Sequence, residues 1–146
     1  MTDSKTLAPD ARRSQGLFAA LILTQAAHSI EEYAGRLYES FPPARFVSGL
    51  FSANLRRGFL IGNAVLIAVG IWCLLYPVLR RWPSASGVIT IWSVIELGNG
   101  LGHPLWSFVQ GGYTPGVVTA PILLLLALLL LREKFRDRQL EAGATP

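Results

Sequence analysis

Four apolar stretches crowd this chain of 146 residues, over 16–33, 58–79, 87–108 and 117–131, and a soluble core of that size has no room to bury them all. A helix that crosses a bilayer needs about 20 mostly apolar residues. Each stretch meets or approaches that length, and the last, 117–131, is the most purely apolar. Only 15% of the residues are charged, against about 25% in soluble domains, and these gather at the two ends and the joints. The expected fold is all-α: a single membrane domain over 1–146, a four-helix transmembrane bundle with 1–15 and 132–146 as cytoplasmic ends. The first stretch admits a rival reading. Arg12 and Arg13 followed by an apolar run to Ala27 look somewhat like a secretory leader. The helical pattern carries on through Ile30, Tyr33 and Leu37, which favours a span.

The net charge of +4 does not point to nucleic acid, because the basic residues flank apolar segments and form no stripe with stacking aromatics. They set orientation instead. Four spans put both termini on one side with Lys5, Arg12, Arg13, Arg80, Arg81, Arg132, Lys134, Arg136 and Arg138. The other side keeps Arg36, Arg45, Arg56 and Arg57. The heavier side is expected to be cytoplasmic, with Trp82 at the inner interface and Trp106 and Tyr113 at the outer one. The expected localisation is therefore the cell membrane, multi-pass. Between the first two spans Phe41-Pro42-Pro43 breaks a helix. Beyond it Phe46, Val47, Leu50, Phe51 and Leu55 recur at roughly helical spacing, as in a short amphipathic interfacial helix. The lone Cys73 permits no internal disulfide. The tail is expected to fray over 144–146.

Polar groups inside the stretches carry the functional signal, since ionisable residues in a span are expensive and usually have work to do. His28, Glu31 and Glu32 fall at i, i+3 and i+4 of the first stretch, Asn63 lies in the second, and Glu96, Asn99 and His103 fall at i, i+3 and i+7 of the third. With a rise of about 1.5 Å per residue, His28 and Asn99 lie about 22 Å from the inner edge, and Glu32 and His103 about 28 Å. Asn63 lies about 9 Å below the outer edge, near the same level. Three helices thus bring polar groups to one height. Polar residues between helices can serve packing alone, but three carboxylates and two imidazoles exceed that need. Gly98, Gly100 and Gly102 around Asn99 form no phosphate loop, because no strand precedes them. They suit close helix contact or room for a ligand. Pro104 is expected to kink the helix beside His103, and Tyr113-Thr114-Pro115-Gly116 reads as a tight outer turn.

His28-Ser29-Ile30-Glu31-Glu32, then Asn99-Gly100-Leu101-Gly102-His103, then Tyr113-Thr114-Pro115-Gly116 resemble, in order, the motifs of the HXXEE family of small membrane proteins. That family has no characterised activity, so the resemblance implies a site and not a reaction.

The expected site takes His28, Glu31, Glu32, Glu96 and His103 as metal ligands, with Glu31, Glu32 and Glu96 also as acid–base groups and Asn63, Asn99 and Tyr113 around a substrate. Such a His/carboxylate set suits iron or zinc. The expected partners are membrane lipids and a hydrophobic small molecule such as a lipid, sterol or terpenoid, and no nucleic acid. Three readings stay open: an intramembrane metalloenzyme, a metal-free acid–base isomerase or cyclase, and a non-enzymatic ligand- or ion-binding protein or complex subunit.

Overall fold

A computed structural model describes the backbone over residues 9–143 and the side chains over 12–136. Lys5, the side chain of Arg138 and the expected fraying of 144–146 lie outside the described residues. Among those residues the fold is all-α, with no strand. Four long helices are α1 (Pro9–Ala34), α4 (Leu55–Cys73), α5 (Ala85–Gln110) and α6 (Ala120–Gly143); α2 (Leu37–Ser40) and α3 (Pro42–Phe51) are short.

Contacts at each end fix the directions. Gln15 Nε2 donates to the Val78 carbonyl at 3.0 Å while Ser29 Oγ donates to Asn63 Oδ1 at 2.6 Å, so α1 and α4 are antiparallel. Arg13 pairs with Glu133 at 3.3 Å and Glu31 bonds Thr119, so α1 and α6 are antiparallel as well. Lys134 reaches Thr90 and Gly100 lies against Leu124, which makes α5 and α6 antiparallel too. It follows that α1 and α5 run parallel, with His28 and His103 at one level.

The two halves of the bundle differ. The half near the chain termini is an apolar core of Phe18, Leu21, Ile22, Cys73, Val78, Trp92, Leu123 and Leu130. The other half holds the buried polar residues His28, Ser29, Glu32, Glu96 and His103.

Local chemistry accounts for several boundaries that hydropathy alone misplaces. The helical pattern does not pass unbroken to Leu37. It stops at Ala34, and Arg36 takes the left-handed conformation with φ 57°. The turn is tight because Gly35 lies on Pro115, where an added Cβ would come within 2.5 Å of the proline ring. Pro42 and Pro43 do more than break a helix: they occupy the first turn of α3, where their missing N–H groups would have no partner anyway. The amphipathic helix between α1 and α4 is therefore preceded by a separate turn, α2, whose Leu37 and Tyr38 are buried. Leu55 belongs not to it but to α4, whose first turn is capped by Asn54 Oδ1 accepting from the Arg57 amide at 3.0 Å. Farther on, Pro77 has no amide to give the preceding turn. The helix widens into a π-helical segment, Leu74–Val78, with Trp82 N bonded to Pro77 O at 2.9 Å. Pro104, by contrast, sits inside α5, which continues through it to Gln110.

Among the described residues one helix, Leu55–Val78, is long and apolar enough to cross a membrane by length and composition. The expectation of four spans rests on more uneven material. Helices α1 and α5 each run about 39 Å, but His28, Glu31 and Glu32 interrupt one and Glu96, Asn99 and His103 the other. The apolar part of α6, 120–131, covers only about 18 Å before Arg132.

The glycine run on α5 divides by function. A Cβ at Gly100 would lie 2.6 Å from Leu124 Cβ and 2.9 Å from its backbone, whereas Gly98 and Gly102 meet nothing within 4 Å. Gly100→Leu is accordingly expected to destabilise the protein by about 1–3 kcal/mol through overpacking against α6. Gly98→Ala should be neutral or slightly stabilising. Thermal unfolding of the two variants in detergent reads this difference, and equal midpoints would contradict the close α5–α6 contact.

Candidate functional site

His28 lies near the end of α1 and Glu32 one turn later, so both point the same way, toward α5. His103 comes from α5 at that level. The His28 and His103 Nε2 atoms are 3.2 Å apart, and Glu32 Oε1 lies 3.4 Å from the first and 3.2 Å from the second. The rings meet edge to face at 86°. All three residues are buried.

The outward-facing nitrogens show how the rings are protonated. His103 Nδ1 is 2.8 Å from the Pro115 carbonyl, which can only accept, so Nδ1 carries the hydrogen. His28 Nδ1 is 2.7 Å from Thr119 Oγ1, whose own hydrogen goes to Glu31 Oε2 at 2.7 Å. His28 Nδ1 is then also the donor. With Nδ1 of each ring bonded outward, the two Nε2 atoms and the Glu32 carboxylate oxygen converge on one point.

Glu31 does not join them. At about 100° per residue around a helix, Glu31 and Glu32 face different neighbours. Glu31 turns toward the segment that leads into α6. There its Oε1 accepts from the amides of Gly116 and Val118 at 3.0 and 3.1 Å and from the Tyr113 hydroxyl at 3.2 Å. Its Oε2 accepts from the Thr119 amide at 3.0 Å. The Tyr113-Thr114-Pro115-Gly116 turn is thereby folded in over the triad. Gly116, with φ 94°, fits so closely that a Cβ would stand 2.5 Å from the His103 ring and 2.9 Å from His28. Tyr113 is part of this anchor and does not line the cavity. Desolvation there, together with the adjacent Glu31 carboxylate, holds its phenol above the usual range.

Glu96 shares the face of His103 but lies two turns away, about 10 Å along the helix, too far to reach the same ion. It is fully buried, accepting from Asn99 Nδ2 at 3.0 Å and from the Gln25 amide at 2.8 and 3.0 Å once that amide is turned to satisfy both ends. Gln25 sits one turn before His28 on α1, but a lone glutamine in an apolar run gives no sign of this. Nor does the sequence mark Thr119 or the Pro115 carbonyl, which orient the imidazoles.

Glu32 and His103 form one wall of a cavity of about 520 Å³, within the size range of small-molecule sites. Asn63 and Asn99 line it, joined by Gln25 and by apolar residues of α2, α3 and α4.

A family model described as a protein of unknown function with HXXEE motif matches residues 19–131. No curated protein and no solved structure matches the chain.

Removing the Glu31 carboxylate leaves the amides of Gly116, Val118 and Thr119 without this acceptor. Glu31→Ala is expected to lower stability by about 1–2 kcal/mol and to speed hydrogen exchange at the amides of 116–119. Glu31→Gln should lose less. Unchanged exchange in Glu31→Ala would show that the turn is held by something else.

Proposed function

The chain belongs to the HXXEE family, and from that premise we propose that it is a multi-pass membrane protein in which His28, Glu32 and His103 hold a zinc or iron ion for chemistry on a hydrophobic small molecule. The observation that carries the metal is the donor triangle. Four-coordinate zinc with bonds of about 2.0–2.1 Å sets its ligand atoms about 3.3–3.4 Å apart. The three donors here are 3.2, 3.2 and 3.4 Å apart. Three such atoms this close call for positive charge in their midst, a metal ion or a proton on Nε2, and the triangle has the dimensions of the first. Two imidazoles and one carboxylate also match the facial set that non-haem iron uses, with positions left open. Thr119 and the Pro115 carbonyl orient the rings as the outer partners of metal-bound histidines do. An ion held there would supply a Lewis acid, or with iron a redox centre, to a group brought from the cavity.

The membrane reading draws support from the surface. Large apolar side chains stand exposed on all four long helices, among them Leu23 and Ile30 on α1, Val69 on α4, Leu105 and Phe108 on α5, and Leu128 on α6. Water tolerates such patches only when they are small; lipid covers them. Four spans, with α6 entered through a turn that dips below the outer surface, accommodate the short apolar part of α6. Irregular backbone at that depth must have its amides satisfied, and Glu31 does this. Arg13, Arg80, Lys134 and Arg136 then lie on the side of both termini, which makes that side cytoplasmic.

Metal analysis of the purified protein tests the proposal. One equivalent of zinc or iron is expected, lost in His28→Ala, Glu32→Ala and His103→Ala and kept in Glu96→Gln. Thr119→Val, which removes the partner of His28 Nδ1, should weaken affinity about 10- to 100-fold. A folded protein that takes up no metal would overturn the metal centre and favour acid–base chemistry by Glu32 and the two histidines.

A further inference from the structure

We infer that the cavity is loaded sideways from the lipid, through the gap between α4 and α5, and that its occupant is an uncharged single-chain or isoprenoid molecule ending in a hydroxyl or carbonyl oxygen. The inference rests on the membrane placement proposed above and names the substrate class of that same site.

The route follows from how the helices pack. Helix α4 packs on α1 and α3, and α5 packs on α6, but α4 and α5 do not form a comparable interface. They meet toward the inner half, where Trp92 reaches Gly70 so closely that a Cβ there would lie 3.2 Å from the indole. Above that floor the cavity separates them. Val65 and Val69 of α4 both line the cavity and are about half exposed, at 50% and 46%. They therefore mark a mouth that opens on the lipid-facing side. Phe41, which follows α2, covers the roof above the triad, lying over His103 and packing on Trp106 with ring centres 5.2 Å apart, while Pro43, Val47 and Phe51 line the cavity beside it and are exposed. An apolar molecule dissolved in the bilayer meets valine side chains at the mouth between α4 and α5.

The head group follows from the lining. No lysine or arginine faces the cavity, and Glu32 does. Among the side chains alone, with no ion in the triad, a buried anion would lack a partner and would look onto a carboxylate, which costs more than burying a neutral oxygen. Asn63 and Asn99 supply the neutral alternative. Each amide nitrogen carries two hydrogens, and the bonds to the Phe59 carbonyl and to Glu96 use one apiece. Each keeps a donor for a hydroxyl or carbonyl oxygen, next to the triad. The opposite end is framed by Val65, Leu66 and Val69 and suits a hydrocarbon chain.

Retinol and retinoic acid share one isoprenoid body and differ only in the head, so they serve as the probe pair. The full chain is reconstituted in dioleoylphosphatidylcholine vesicles after dialysis against a chelator, so that the side chains alone are read. Retinol emission is expected to report saturable binding, and retinoic acid should displace it with an affinity about tenfold weaker. Val65→Phe combined with Val69→Phe should close the mouth and abolish retinol binding while helicity stays unchanged. Absence of saturable retinol binding, equal displacement by the acid, or undiminished binding to a folded double variant would each overturn the inference. Should that variant not fold, the comparison of acid with alcohol on the unaltered chain decides it. Metal content, measured separately on undialysed protein, tests the triad, so the failure of one reading is distinct from failure of the other.

Discussion

The Glu31 carboxylate is the contact on which the half of the bundle away from the termini depends. It draws together three backbone amides and two hydroxyls from the segment between α5 and α6. A charge-assisted bond is about twice as strong as a neutral one, and several on one group together fix a turn that belongs to neither flanking helix. Everything at the triad is indexed to that turn. Thr119 is held by Glu31 and in turn orients His28; the Pro115 carbonyl orients His103; Gly116 lies between the two rings. The family motif thus joins two acids of different purpose. The second, Glu32, contributes its oxygen to the donor set, and the first builds the scaffold that aims the other two donors.

How far the sequence discloses this depends on geometry along and around a helix. Apolar runs locate the four long helices well, because the hydrophobic signal is summed over many residues. The meeting of His28, Glu32 and His103 at one level is legible from helical rise alone. The separate fates of Glu31 and Glu32 are not, since a shared face about 100° wide still borders two neighbours and only the packed bundle tells which neighbour each side chain meets. Glu96 has the right angle but the wrong height. The boundaries that differ from expectation sit at special backbone positions. Gly35 is forced small by Pro115, Pro42 and Pro43 start a helix rather than merely stopping one, and Pro77 widens a turn. Such effects arise from single contacts, to which a hydropathy window is blind.

The bundle also separates its apolar core from its polar residues along the helix axes. The half near the termini is filled by Phe18, Leu21, Trp92, Leu123 and their neighbours, and is tied across by Arg13 and Glu133. Most of the buried polar residues lie in the other half, where Ser29 with Asn63, and Glu96 with Gln25 and Asn99, satisfy one another. Buried polar groups are tolerable only when such pairing is nearly complete. The hydrogen-bonded residues around the triad meet that condition, and the triad itself turns two imidazole nitrogens and a carboxylate oxygen toward one point.

The close fit of Gly116 against both imidazoles has a steric consequence. The turn shuts the triad on one flank and His28 is wholly enclosed, so the cavity reaches the three residues on the side of Glu32 and His103. Anything that replaced the hydrogen of Gly116 by a larger group would press on both rings at once and skew the triangle from its closed side.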